Sequence, residues 1–323
     1  MDARALARVL ASVTTLTDEN LLTGFGTADD AAVYKLDAGR ALVSTVDFFT
    51  PIVDDPFTYG WIAAVNSLSD VYAMGGTPRL ALNVVGFPQR DIGEEVLEAV
   101  LQGGAAACKE EGVILAGGHT IRSQELFYGL VALGFVSPDK IMTNTAARPG
   151  DRLVLTKAIG TGVVGTAVKA GDADLTEEQA AAASMMRSNR NAARLMGEFG
   201  VRAGTDITGF GLLGHAWELA QGSAVSLRIY ANRVPALPGA MKYAASHIPG
   251  GLLNNLAWVK GHLRVADKIP GNVLNLLADP QTSGGLLVAL GPDAAEAYAE
   301  AVGSPAAVIG EVTAETPPLI EIV

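Results

Sequence analysis

The chain has 323 residues, 49% of them hydrophobic, and a formal net charge of −11. That acidity excludes a broad basic surface for sequence-independent nucleic-acid binding, and the longest apolar stretches, such as Gly285 to Gly291, fall far short of the roughly 20 residues a membrane helix needs. The length exceeds what one core usually organises, so two domains are expected, and a single cysteine, Cys108, excludes an internal disulfide or a thiolate cluster and fits a reducing, cytoplasmic setting.

Met1 to Leu10, with Arg4 and Arg8 among alanines and leucines, reads as an amphipathic helix and not as an export signal. Alternating segments at Ala31 to Leu36 and Ala41 to Val46, joined by Asp37-Ala38-Gly39, read as a hairpin. A helix is expected from Pro56 to Met74, with Asp55 as N-cap, Pro56 at its first position and Gly75-Gly76 as its stop. A strand (Leu80 to Val85), a helix (Ile92 to Glu111) and two strands (Val113 to Ala116, Gly129 to Val136) follow. Ser137 to Asp151, with Pro138, Pro149 and Gly150, lacks apolar periodicity and is the expected domain boundary. Beyond it come a strand at Leu153 to Thr156, helices around Glu177 to Gly200 and Leu212 to Ala220, and strands at Gly285 to Leu290 and Ala307 to Glu311. The fold class is mixed α/β (α+β), divided into 1–145 and 146–323.

An acidic protein that handles phosphates needs metal ions to bridge like charges, which directs attention to the aspartates. Asp29-Asp30 precede an apolar strand, where one can point inward and the other out; a solvated turn fits the pair equally well. Asp47 ends a strand beside Phe48 and Phe49, as a buried structural acid also would. Asn66 and Asp70 share a helix face with Ala63 and Ser67, small and polar residues that leave room on an otherwise apolar helix. Asp206, in Gly204-Thr205-Asp206-Ile207-Thr208-Gly209-Phe210-Gly211, leads into a helix whose first N–H groups attract anions. His215, one turn into that helix, reads as a packed or an exposed residue sooner than a catalytic one. Gly117-Gly118-His119-Thr120 suits a phosphate or nucleotide contact, or a plain strand-end turn, and Asp279-Pro280-Gln281-Thr282-Ser283-Gly284-Gly285 is a further polar loop.

Gly160-Thr161-Gly162-Val163-Val164-Gly165 matches the G-x-G-x-x-G dinucleotide pattern after a strand. The acids downstream, Asp172 and Glu177, lack the second strand that would set one of them on a ribose, which argues against an NAD-dependent oxidoreductase. Lys157 before this loop fits a phosphate contact or a solvated strand end. Cys108 lies on a helix side with Leu97, Leu101 and Gly104, the setting of a small buried hydrophobe and not of a nucleophile.

The blocks Asp29-Asp30-Ala31-Ala32-Val33-Tyr34, Thr45 through Pro56 to Asn66, Ser69-Asp70, Ala73-Met74-Gly75-Gly76, Ala116-Gly117-Gly118-His119, Thr205 to His215 and Asp279 to Gly285 occur in an order that strongly resembles the selenophosphate synthetase (selenide, water dikinase) family. The resemblance implies the aminoimidazole-ribonucleotide-synthetase-like fold of two domains, with 1–145 binding ATP and metal and pairing with a second copy into a dimer barrel. It implies synthesis of selenophosphate, AMP and orthophosphate from selenide, ATP and water. It assigns Mg²⁺ to Asp30, Asp70 and Asp206, and the ATP site to Thr27, Ala28, Asp29, Asp47, Asp70, Gly118, His119 and Thr120. The family's glycine-rich segment with a Cys or selenocysteine and a Lys is not matched ahead of Met1-Asp2-Ala3, so no catalytic nucleophile is assigned, and a Mg-ATP-binding protein without full turnover stands as the alternative.

Overall fold

In a computed structural model of the protein, the residues described are 18–24 and 29–323, with Val9, Val13 and Leu16 in addition. The expected helix at Met1 to Leu10, apart from Val9, and the expected ATP contacts Thr27 and Ala28 lie outside the described residues.

The first sheet contains β1 (Leu21–Thr23), β2 (Ala32–Lys35), β3 (Ala41–Phe49), β4 (Thr77–Phe87), β5 (Ile114–Arg122) and β6 (Phe127–Val136), in the order β1-β2-β3-β6-β4-β5. Its pairings are antiparallel except β4 with β5. The hairpin of β2 and β3 forms as the alternation predicts, although β3 runs on to Phe49 and so carries Asp47 within the strand. Helix α1 (Pro56–Ala73) starts where Asp55 accepts the Thr58 N–H at 2.7 Å, which satisfies one of the otherwise orphaned amides. Helix α2 (Glu94–Glu111) packs against it, and both cover the same sheet face, where Tyr59, Leu68, Val71, Val100 and Cys108 meet Val43, Leu130 and Ala132. The two helix backbones touch through glycines: a Cβ on Gly60 would stand 1.9 Å from Val100 O, and one on Gly103 2.0 Å from Phe57 O.

Gly117-Gly118-His119-Thr120 are not a strand-end turn but the middle of β5. Gly118 has φ +145, and a Cβ there would lie 2.2 Å from Asn83 O, so glycine lets the strand pass an irregularity in the β4–β5 register and continue.

The second sheet is built from β7 (Arg152–Leu155), β8 (Ala203–Asp206), β9 (Ser226–Ile229), β10 (Leu263–Val265), β11 (Leu286–Leu290), β12 (Ala307–Thr313) and β13 (Ile320–Ile322), ordered β10-β13-β9-β12-β7-β11-β8. Helices α3 (Thr161–Ala170), α4 (Leu175–Met186) and α6 (Gly211–Ser223) contribute to one core, and α5 (Arg190–Glu198) and a late helix at Pro292–Val302 to another, which Ala73 of α1 joins. A strand buried on both faces reads as a continuous apolar run. Leu286-Leu287-Val288-Ala289-Leu290 shows this pattern, whereas β8, made of Ala203-Gly204-Thr205-Asp206, carries no apolar signal that the sequence reading could detect.

Among the described residues, no helix is long and apolar enough to cross a membrane.

Candidate active site

Asp47 projects from β3 on the face that carries Thr45, toward α1. Asn66 of α1 donates through Nδ2 to Asp47 Oδ2 at 2.8 Å, and Thr45 donates its hydroxyl to Asp70 Oδ2. The polar face of α1 is therefore partly filled by the sheet itself: Ser67 donates to Asp47 O at 2.9 Å and accepts the Leu130 N–H at 3.1 Å.

The second half of the chain closes over this face. Thr205 donates its hydroxyl to Asp30 Oδ1 at 2.7 Å, and the Asn144 N–H goes to Asp29 Oδ1 at 3.0 Å, so both members of the Asp29-Asp30 pair contact the segment beyond the first sheet. Asn189, between α4 and α5, donates to Ser69 Oγ at 2.8 Å and to Gly284 O at 2.9 Å. Sequence reasoning missed Asn189, since a polar residue between two helices carries no signal of burial. Thr45 stands two residues before Asp47 on the same strand and so shares its face, by the period-two alternation of β3.

This closure brings Asp30, Asp47, Asp70 and Asp206 into one electrostatic group. Burial raises each carboxyl above its ordinary value; the charge of Asp206 adds to this at Asp30, Asp47 and Asp70, and Asp47 and Asp30 add further at Asp70. Asp47 is pushed up to about 6, while Ser69, His215 and Lys157 partly offset the rise at Asp206. Asp206 Oδ2 is buried without a hydrogen-bond partner. Packed carboxylates with an orphaned oxygen are a donor set that a hard cation satisfies. Among the described residues, no three His, Cys, Asp or Glu side chains form a ready-made metal cage.

Gly118, His119 and Thr120 are not joined to this group within one chain. Asp47, Leu130, Asn83 and Gly118 lie in one register row across β3, β6, β4 and β5. Three strand spacings set Gly118 roughly 14 Å from Asp47.

The G-x-G-x-x-G segment forms the start of α3, and its amides are taken by the protein. Gln281 Oε1 accepts from Gly160 N at 2.9 Å and Thr161 N at 3.1 Å, and Asp279 Oδ2 accepts from Gly162 N at 3.0 Å. No pyrophosphate can use those groups without displacing the polar loop, which gives Asp279 to Gly285 a role the sequence did not assign. His215 accepts the Thr208 N–H at 3.1 Å and so fixes the turn after Asp206. Lys157 is buried, donates to Ser283 O at 2.8 Å, and is drawn down to about 7 by burial and by the Arg187 guanidinium. An open cavity of about 820 Å³ runs from Asp47 and Asn66 along Thr161, Thr208 and Gln281, large enough for a nucleotide.

The AIR synthase related protein family matches the chain through its N-terminal domain at residues 28–136 and its C-terminal domain at 148–319. The chain is 47% identical over 325 residues to a selenide, water dikinase of Pelobacter propionicus, covering 98% of this chain and 92% of that protein. It is 48% identical over 295 residues to a selenide, water dikinase of Caldanaerobacter subterraneus, covering 90% and 84%. Among solved structures it resembles thiamine-monophosphate kinase of Stenotrophomonas maltophilia, with a TM-score of 0.68, 20% identity and coverage of 99% and 96%. It also resembles hydrogenase maturation protein HypE in complex with ATP, with a TM-score of 0.66, 20% identity and coverage of 99% and 92%. At those identities the structural likeness speaks for the fold.

Proposed function

This chain belongs to the selenide, water dikinase family, and we propose that it phosphorylates selenide with ATP and water, releasing selenophosphate, AMP and orthophosphate. Of the two phosphoryl groups lost from ATP, one ends on selenium and the other on the oxygen of water. The observation that carries this reading is the gathering of buried acids from separate segments: Thr205, next to Asp206, holds Asp30, while Thr45 and Asn66 hold Asp70 and Asp47 and the Ser283 N–H ties Asn66 to the second half of the chain.

In this reading Asp30, Asp70 and Asp206 hold Mg²⁺, which supplies charge neutralisation to a polyphosphate chain. Thr27, Ala28, Asp29, Asp47 and Asp70 line the ATP site. Phosphoryl transfer asks the protein mainly for positioning and electrostatics. The bonds from Asn66 to Asp47, Thr45 to Asp70 and Thr205 to Asp30 supply the first by locking carboxylate orientation.

Residues 1–145 serve ATP binding and pairing in this reading, and 146–323 form the second domain. Support for a homodimer comes from the sheet face opposite α1 and α2, where Val46 and Phe48 are each 51% exposed and Phe135 41% exposed. That apolar face adjoins edge strand β5, which carries Gly118, His119 and Thr120, and burial against a second copy into a barrel would remove both an exposed patch and an exposed edge.

Calorimetry with ATP and Mg²⁺, with NAD as the control, and then an assay of selenide-dependent AMP formation test the proposal. Mg-ATP binding with AMP formation is the expected result. Binding without AMP formation leaves a Mg-ATP-binding protein of this fold, and NAD binding in place of ATP overturns the reading.

A further inference from the structure

We propose that Lys157 is a positioning residue of this site, acting through Ser283 and Asn66 on the Asp47 carboxylate. The inference rests on the proposed Mg-ATP chemistry and deepens it.

Lys157 is 1% exposed, and no carboxylate among the described residues comes within ion-pair distance of its ammonium, although the charge of Asp206 acts on it from farther away. Lysine is almost never fully buried without such a partner, because its ammonium loses hydration. Its hydrogen bond goes instead to a backbone carbonyl, Ser283 O, at 2.8 Å.

Ser283 has φ +50, in the left-handed region that side chains other than glycine avoid. All its polar groups are engaged: the hydroxyl donates to Met185 O at 2.7 Å, the carbonyl accepts from Lys157, and the N–H donates to Asn66 Oδ1 at 2.9 Å. The unusual backbone is what aims N–H and C=O at these two partners at once. The bond to Asn66 Oδ1 crosses from the second half of the chain to α1 and fixes the sense of the Asn66 amide. With Oδ1 occupied, Nδ2 faces Asp47 Oδ2 at 2.8 Å; the flipped amide would set oxygen against carboxylate. Lys157 thus anchors a four-residue relay, Lys157 to Ser283 to Asn66 to Asp47, whose far end lines the cavity.

The test is a double-mutant cycle read by Mg-ATP calorimetry and thermal melting. Lys157→Met keeps the side-chain length and trades the cost of a buried amine against the loss of the donor to Ser283 O, so its melting temperature should stay near that of the wild type while the Mg-ATP Kd rises about tenfold. A merely structural lysine would leave Kd unchanged when the fold holds. Asn66→Ala should weaken binding similarly, and the double variant should be little worse than either single, since both break one relay. Additive losses, or a Lys157→Met protein that binds as the wild type does, overturn the inference. If Lys157→Met melts early, Lys157→Ala titrated with propylamine serves in its place. Amine-dependent recovery of affinity supports the relay, and its absence in a variant folded by circular dichroism overturns it. A wild type that binds no Mg-ATP refutes the proposed function, whereas a binding wild type with unaffected variants refutes only the relay.

Discussion

Gln281 accepts the Gly160 N–H at 2.9 Å, so the first turn of α3 is capped by a side chain more than a hundred residues away in sequence. Gln281 is 4% exposed and also serves the Thr161 N–H and hydroxyl. Gln281→Ala leaves those donors buried without an acceptor and should cost about 2–4 kcal/mol in denaturant unfolding. A change below about 0.5 kcal/mol would show that the cap is dispensable.

Asp70→Asn and Asp206→Asn should each weaken Mg-ATP binding at least about tenfold or abolish turnover. Burial disfavours the charged form of both carboxyls, so a neutral amide in their place should leave the metal-free proteins melting no lower than the wild type. Wild-type nucleotide binding and turnover in both variants would sink the assignment of these residues.

Stability of the metal-free protein should fall as pH rises from about 4 to 7. Burial pushes Asp47 up to about 6 and Asp279 up to about 7, so in that window the folded chain retains protons that the unfolded chain has released. Asp279 is fully buried, and its share alone is on the order of a few kcal/mol. Lys157, drawn down to about 7, works in the opposite direction only above that pH. Thermal melts across pH 4 to 8 check the slope. Adding Mg-ATP should raise the melting temperature more at pH 8 than at pH 5, because deprotonated carboxylates bind the cation. A melting temperature that climbs steadily through this window would contradict the placement of these acids.

Cys108→Ser should cost about 1–2 kcal/mol and leave Mg-ATP binding and turnover unchanged. The thiol is fully buried in the α1–α2 core, and burial pushes it up to about 11, so it is neither accessible nor a thiolate at neutral pH. Lost activity in a folded Cys108→Ser protein would overturn that view.

The sequence by itself determined the local elements and the identities of the acids. The Asp55 cap with Pro56 specifies where α1 begins, alternation specifies the β2–β3 hairpin, and Asp30, Asp47, Asp70 and Asp206 stand out at strand ends and on a helix face, because caps, turns and periodicity act over a few residues. The family resemblance was equally legible, and a relative is 47% identical over 98% of the chain. Only the tertiary structure decided what those residues face. Whether a glycine loop meets a phosphate or Gln281, whether Gly118 ends a strand or continues one beside Asn83, and whether Lys157 points to solvent or to Ser283 all depend on partners far away in sequence. Burial, and with it the mutual repulsion of carboxylates drawn from both halves of the chain, comes into being only when the second sheet closes over α1, since desolvation and Coulomb energy follow distance in space and not position in sequence.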